Sequence, residues 1–230
     1  MKQLSTYITE GLKIGKKFRQ NKYNYHPRDK EELREIIEKL LNERGNDADL
    51  NDIDVSKITD MSKLFSAFDP HNIDISKWYV SNVKDMSSMF DCCHNFNSDL
   101  SDWDVSNVTN MAGMFYSCEN FDSDISDWDV NKVENMGWMF ADCELFNQDL
   151  SEWNVSNVEN MEHMFYDCYK FNCDLSNWDV SNVEDMYAMF CGTKNFNSDL
   201  SNWDVSHVTD MDNMFDDCNS LKNIPSWYNE

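Results

Sequence analysis

Apolar residues recur along most of the chain with a fixed period of 25 residues. The positions that keep this period carry Trp, Met, Met-Phe, Cys, Phe and Val, and short runs of Asn, Asp and Ser separate them. A period of this size is typical of a solenoid, in which each repeat forms one coil stacked on the previous one. Tryptophan marks the period most clearly, at Trp78, Trp103, Trp128, Trp153, Trp178 and Trp203.

Within each repeat the apolar spacing predicts one short helical turn and one short strand. Met111, Met114, Phe115 and Cys118 are spaced as on the apolar face of about two helical turns. The rest of the repeat is too polar for a long strand, so we expect a few extended residues near 100–103 or 105–108 and turns elsewhere. The predicted fold is an irregular, leucine-rich-repeat-like α/β solenoid of about seven coils.

The first 50 residues do not share the period and divide into two segments. Residues 1–28 are basic, and positions 3–17 favour a short amphipathic helix. Residues 29–50 contain a clearer helix over positions 30–44, which we expect to cap the open end of the first coil. Gly45 suits the end of this helix. Its apolar residues have amphipathic spacing: Leu33, Ile36, Ile37, Leu40 and Leu41.

The repeats are strongly acidic, unlike the segment before them. The whole chain has a formal net charge of -24, and residues 51–230 contain eight Lys, no Arg and 34 Asp or Glu, for a formal charge of -26. Such a field repels nucleic acid and anionic membranes and favours cations or basic partners. No stretch of about 18 apolar residues exists, so we expect no membrane insertion. Residues 1–8 show no apolar run of signal-peptide length, which predicts a cytoplasmic or particle-associated protein rather than a classically secreted one.

The repeat itself resembles that of a known family. The string Trp-Asp-Val-Ser-Asn-Val-x-x-Met-x-x-Met-Phe-x-x-Cys-x-x-Phe-Asn stands at Trp178 to Asn197, with Thr193 in place of Cys. It resembles the BspA-like leucine-rich repeat surface proteins, also known for the Mycoplasma lipoprotein repeat, over about residues 51–224. The resemblance implies an irregular leucine-rich-repeat-like solenoid, a frequent role in surface adhesion and no catalytic residues. The basic segment before the repeats, without a secretion or lipoprotein signal, departs from the surface members of that family.

The periodic Cys and Trp positions each allow more than one interpretation. The Cys column is a metal ladder, a chain of disulfides or a column of small buried residues, and the lack of an accompanying His column favours burial. Cys92 and Cys173 lie off this column and are predicted to be exposed. The Trp column is a buried stack or an exposed aromatic ladder, and the Leu, Ile and Val around it favour burial. The Cys column consists of Cys93, Cys118, Cys143, Cys168 and Cys218.

Two columns of carboxylates also follow the period. Stacked acids bind Ca²⁺ in some repeat proteins, but the Gly-rich calcium turn is missing here. We therefore expect Asp to accept backbone N–H bonds in turns, and we predict no metal and no cofactor. The columns are Asp74, Asp99, Asp124, Asp149, Asp174 and Asp199, and Asp54, Asp104, Asp129, Asp179 and Asp204.

No nucleophile–base pair, phosphate loop or nucleotide fingerprint appears, so we predict a non-enzymatic scaffold without catalytic residues. Its partner is expected to be another protein or a cell-surface structure, and the basic N-terminal segment is a candidate to bind a second partner. The alternatives are an acidic mimic of a nucleic-acid duplex that inhibits a basic nucleic-acid-binding protein, and a structural component of a virus-like or surface assembly. Residues that break the period are the candidates for partner binding: Tyr116, Trp138, Tyr166, Tyr169 and Tyr187.

Overall fold

A computed structural model describes residues 23–66 and 68–228 of the chain. The helix predicted over positions 30–44 is present, and α1 spans Lys30–Arg44. The helix predicted over positions 3–17 lies outside the described residues. No helix within the described part of the chain is both long enough and apolar enough to cross a membrane.

Local side-chain and backbone bonds set both ends of α1. The Asp29 carboxylate accepts the backbone N–H of Glu32 at 2.9 Å, which satisfies one of the free amides of the first turn. Gly45 donates its N–H to the Leu41 carbonyl at 2.8 Å and has a φ of +86°. Glycine adopts this conformation without the clash that a Cβ atom would cause, so the helix ends where its sequence predicts.

The predicted α/β solenoid, with a strand and a helical turn in every coil, is wrong. Among the described residues α1 is the only α-helix, and there is no strand or sheet. Each 25-residue repeat is a succession of turns, and neighbouring repeats are joined by isolated parallel bridges. In one series of these bridges, each residue pairs with the one 25 positions later: Asp60, Asp85, Asn110, Asn135, Asn160, Asp185 and Asp210.

The segment predicted as a helical turn is a run of tight turns. The amide of Cys118 donates to the carbonyl of Phe115, three residues earlier, at 2.9 Å. Gly113 and Ser117 have φ angles of +60° and +55°, whereas a right-handed helix requires about -63°. The same positive φ recurs at equivalent positions of the other repeats: Lys63, Ser88, Trp138, His163, Ala188 and Asn213, and Cys92, Asp142, Asp167, Gly192 and Asp217.

The predicted strand segments are turns as well. The amide of Trp103 donates to the Leu100 carbonyl at 3.1 Å, and that of Val108 donates to the Val105 carbonyl at 2.9 Å. Bonds between residues three apart close a turn and are incompatible with an extended strand. The short strand expected near 100–103 or 105–108 is therefore absent.

Backbone amides between these turns connect one repeat to the next. The N–H of Gly113 donates to the carbonyl of Gly137 at 2.8 Å, and the N–H of Ser117 donates to that of Ala141 at 2.8 Å. An α-helix would use these donors inside its own segment. The same N–H groups cannot serve both a helix and the stacking of the repeats, and here they donate to the next repeat.

The Met, Phe and Cys columns are buried, as the spacing predicts. The ring of Phe115 lies 3.9 Å from that of Phe121 in its own repeat and 5.8 Å from that of Phe140 in the next, centroid to centroid. The planes of Phe115 and Phe140 differ by only 9°. Two parallel columns of stacked rings therefore run through the core: Phe65, Phe90, Phe115, Phe140, Phe165, Phe190 and Phe215, and Phe96, Phe121, Phe146, Phe171 and Phe196.

Buried side chains with polar atoms add bonds between repeats. The Trp128 side chain is 3 % exposed, which confirms the predicted burial, and its indole Nε1 donates to the Leu100 carbonyl at 3.1 Å. In the Cys column, the Cys118 thiol donates to the Phe90 carbonyl at 3.0 Å. Thr193, which interrupts that column, donates its hydroxyl to the equivalent carbonyl of Phe165 at 2.6 Å. The column therefore requires a small buried donor, which the sequence pattern did not reveal.

The cysteines off the column behave differently from one another. All eight cysteines of the chain are free thiols. Cys92 is exposed, as predicted, but the prediction of an exposed Cys173 is wrong. Cys173 is buried because its sulfur accepts the backbone N–H of Leu150 in the preceding repeat at 3.1 Å.

Helix α1 packs against the first repeat through both apolar and polar side chains. Leu33 and Ile37 are fully buried in the core. Arg34 donates to the carbonyl of Leu64 at 2.9 Å. In the next repeat the equivalent carbonyl, that of Met89, accepts a backbone amide from the preceding repeat. The Arg34 guanidinium thus takes the place of a preceding repeat.

We predict that Phe140→Ala destabilises the protein by about 3–5 kcal/mol, as for other buried aromatic residues. The ring is completely buried between its neighbours in both Phe columns, so its loss leaves a cavity in the middle of the stack. The measurement is the free energy of unfolding from urea denaturation. The control is Leu145→Ala at a side chain that is 37 % exposed, which we expect to change that free energy by less than about 1 kcal/mol. Equal effects of the two substitutions would contradict the buried column.

We further predict that Thr193→Val lowers the free energy of unfolding by about 0.5–1.5 kcal/mol, while Thr193→Cys changes it much less. Valine has the shape of threonine but removes the hydroxyl that donates to the Phe165 carbonyl. Cysteine restores the donor found at the equivalent position of the neighbouring repeats. Thermal and urea unfolding of both variants measures the difference, and equal losses would show that the bond contributes nothing.

Candidate interaction surface

Four of the five residues predicted to bind a partner lie together on the outside of the repeats, around a histidine that the sequence analysis did not select. We name Tyr116, Trp138, His163, Tyr166 and Tyr187 the aromatic patch. The Trp138 ring stacks on that of His163 at 3.8 Å and meets Tyr116 edge-on at 5.8 Å. His163 in turn lies 5.4 Å from Tyr166 and 5.0 Å from Tyr187, ring centre to ring centre. All five side chains are partly exposed.

Tyr169, the fifth predicted residue, does not contribute to the aromatic patch. Its ring instead faces the Lys194 ammonium, which lies 4.1 Å from the ring centre. His163 was missed because it was considered only as a metal ligand. Its position 25 residues after Trp138 was the signal that would have found it, since the two rings occupy equivalent turns of adjacent repeats.

The turn conformation explains why the patch residues point outward. Trp138 and His163 are each the third residue of a four-residue turn. The first and last residues of each turn are Met, and their side chains are buried in the core. Three of the equivalent positions of other repeats hold small residues, Ser88, Gly113 and Ala188, and the other two hold Lys63 and Asn213. Stacking of the repeats therefore does not need an aromatic ring at this position.

A small open cavity lies at one end of the aromatic patch, with a volume of about 240 Å³. Gly113 and Gly137 line it together with the rings of Tyr116 and Trp138. A Cβ atom at Gly113 would lie 3.3 Å from the Ser88 hydroxyl, on the cavity side, whereas one at Gly137 would meet Asn160 and Glu162, which do not line the cavity. The remaining lining residues are Ser88, Asp91 and Ala112.

Acidic side chains beside the aromatic patch are held in unfavourable surroundings. Burial, and then the charge of Asp167, raise the pKa of Asp142. Burial likewise raises the pKa of Asp167, and the Asp167 charge raises the pKa of Tyr166. Burial lowers the pKa of His163 against the opposing effect of neighbouring carboxylates, so the ring is neutral at pH 7.

The periodic carboxylates have a different role. Asp124 accepts both the backbone N–H of Ser126 at 3.0 Å and its hydroxyl at 2.7 Å, and these bonds lower the pKa of Asp124. The same bond from the residue two positions later recurs along both predicted columns, which confirms the interpretation of these acids as turn residues. Within residues 23–66 and 68–228, no cluster of His, Cys, Asp and Glu is arranged to hold a metal ion.

Exposed acids occupy many different positions of the 25-residue repeat. They occupy positions distributed along its whole length, as in Asp99, Asp102, Asp104, Glu119, Asp122 and Glu134. A mimic of a nucleic-acid duplex should concentrate its carboxylates along one face at the spacing of phosphates. The exposed acids are not confined to one position of the repeat, and the mimic stays an alternative prediction.

A comparison with protein families finds one match that repeats along the chain. The model of the family described as "Mycoplasma protein of unknown function, DUF285" matches residues 32–151 and again residues 119–228. The matched region includes most of α1, the aromatic patch and all the repeats described above. No curated protein and no solved structure matches the chain.

We predict that Asp142→Asn stabilises the protein at pH 7 by about 0.2–1 kcal/mol, a range reduced for the partial exposure of this side chain. A raised pKa in the folded state means that ionised Asp142 opposes folding above that pKa, and that the penalty disappears as the pH falls toward the ordinary value of aspartate. Thermal unfolding of both proteins between pH 7 and pH 3.5 measures the effect. If the stabilisation by Asp142→Asn did not decrease as the pH falls, the ionised carboxylate of Asp142 would not be its cause.

Proposed function

Since the chain belongs to the DUF285 family, whose description gives no function, we propose from its own surface that it is a non-enzymatic binding protein. Its partner is another protein, held on the aromatic patch. The observation that carries the proposal is that Trp138, Tyr166 and Tyr187 stand where at least one other repeat has a small residue: Ser88, Ala141 and Ala112, respectively. The partial resemblance of the repeat to the BspA-like surface proteins supports an adhesive role, with a partner displayed on a cell surface.

The composition of the aromatic patch fits a protein interface. Trp and Tyr supply large, rigid contact areas and are enriched among the residues that dominate binding energy. The patch rings contact one another across adjacent repeats and are already ordered before a partner arrives. Preordered side chains lose little further freedom on binding, which favours affinity.

The surroundings of the patch support binding rather than catalysis. Among the five patch residues His163 is the general-base candidate, and the Nδ1 atom of His163 is buried without a hydrogen-bond partner. A catalytic histidine works through a nucleophile or a bound water on one nitrogen and an orienting group on the other. The proposed role therefore assigns His163 to stacking against Trp138.

A selection experiment tests the proposal with variants taken from the protein's own repeats. The triple variant Trp138→Ser, Tyr166→Ala and Tyr187→Ala introduces the residues found at the equivalent positions Ser88, Ala141 and Ala112, so we expect it to fold normally. Peptides selected from a random display library on the full chain should lose at least about tenfold in affinity for this variant, since several large aromatic contacts disappear.

The matched control is Tyr79→Asn, which removes an aromatic side chain that is 55 % exposed and lies in another part of the stack. Asn154 occupies the equivalent position, so this variant should also fold. Circular dichroism and thermal unfolding verify both variants. Selected peptides that bind the triple variant as tightly as the wild type, or a selection that returns no binder, would overturn the proposal.

A further inference from the structure

The cavity at the end of the aromatic patch has a size and shape suited to a single side chain. At about 240 Å³ it is smaller than most pockets that hold drug-sized ligands. Its walls are the rings of Tyr116 and Trp138, which meet at an angle of 81°. Gly113 and Gly137 line the space between them, so a slender group can approach the rings closely.

Among the described residues, His163 is the one ring that stacks on the Trp138 indole, while Tyr116 meets it edge-on and Tyr166 is tilted to it. His163 lies in the next repeat, and the planes of the two stacked rings are only 17° apart. The residue equivalent to Trp138 in the preceding repeat is Gly113, which has no side chain to stack on the indole. The repeat period thus places no stacked side chain on this side of the indole, and Trp138 lines the cavity.

The cavity also contains an uncompensated negative charge. Asp91 lines it, and the Oδ1 atom of Asp91 is buried without a hydrogen-bond partner. No Lys, Arg or His among the described residues forms an ion pair with Asp91. A partly buried carboxylate without a partner is costly, and a cation that approaches it recovers part of that cost.

We propose that this cavity binds a cationic side chain, lysine or arginine, of the partner protein. An ammonium or guanidinium group within about 6 Å of a Trp ring centre is attracted by the negative face of the ring. The Asp91 carboxylate adds a direct charge attraction, and the formal charge of -26 on residues 51–230 draws basic segments toward the surface. The inference rests on the proposed function and specifies which chemistry the aromatic patch recognises.

Glycans are the main competing ligand, because sugars also stack on Trp and Tyr. A sugar hydroxyl donates to a carboxylate such as that of Asp91, but it carries no positive charge to balance it. Besides Asp91, the polar groups of the lining side chains are the hydroxyls of Ser88 and Tyr116 and the indole N–H of Trp138. The charge of the cavity therefore favours a cation.

Small-molecule probes test the proposal by fluorine NMR on the full chain labelled with 5-fluorotryptophan. Loss of one resonance in Trp138→Ser assigns the signal of Trp138. Nα-acetyl-lysine methylamide and Nα-acetyl-arginine methylamide should each shift this signal saturably at 0.15 M salt. The neutral probe Nα,Nε-diacetyl-lysine methylamide should not, because it keeps the length but not the charge.

Two substitutions localise the effect. Asp91→Asn should weaken binding of the cationic probes about fivefold or more, because it removes the charge beside the ring. Gly113→His should abolish the shift, since the equivalent His163 already shows that a histidine in this turn stacks on Trp138. Asp104→Asn is the control of equal charge change, and Asn154 at the equivalent position shows that the turn accepts it.

The outcomes separate this inference from the proposed function. If Asp91→Asn and Asp104→Asn weakened the binding of the cationic probes equally, the effect would come from the overall negative charge of the protein, and the specific site would be overturned. A Trp138 shift with methyl glycosides but not with the cationic probes would overturn it in favour of a glycan. No shift with any probe, while display-selected peptides still depend on the aromatic patch, would sink the cation site and leave the binding function standing.

Discussion

The backbone hydrogen bonds between successive repeats determine most of this structure. Because every second amide of the Met-x-x-Met-Phe segment donates to the next repeat, as Gly113 does to Gly137, that segment cannot also close helical bonds. The remaining amides close turns within the repeat, and these turns require a positive φ at two residues of each repeat. The stack then places Phe115 over Phe140 and carries the indole of Trp128 to a carbonyl of the repeat before it.

The sequence revealed which residues are buried but not how the backbone achieves it. Spacing of 0, 3, 4 and 7 places Met111, Met114, Phe115 and Cys118 on one side whether the backbone is a helix or a run of turns. The amino-acid composition does not show which carbonyl each backbone N–H donates to. The main local sign of a positive φ in the sequence was glycine, at Gly113 and Gly192. Helix α1 was predictable with its bounds, because its bonds lie within one segment.

The candidate site was predictable to a similar degree. Breaks in the period identified Tyr116, Trp138, Tyr166 and Tyr187, which the structure brings together, but also Tyr169, which lies apart beside Lys194. Sequence position alone does not show which outward side chains of neighbouring turns meet. The empty space beside Trp138 was equally hidden, since it depends on a glycine 25 residues earlier.

The distribution of acids shows why net charge says little about the partner here. Most periodic aspartates, such as Asp124, fix a turn by accepting an N–H and a hydroxyl from the residue two positions later. Asparagine does the same at Asn154, so the requirement is an acceptor oxygen rather than a charge. The strongly acidic surface is therefore in large part a consequence of the turns. Carboxylates that serve no turn carry more information, and Asp91, whose Oδ1 atom has no hydrogen-bond partner in the cavity beside Trp138, is the one whose position discriminates between ligands.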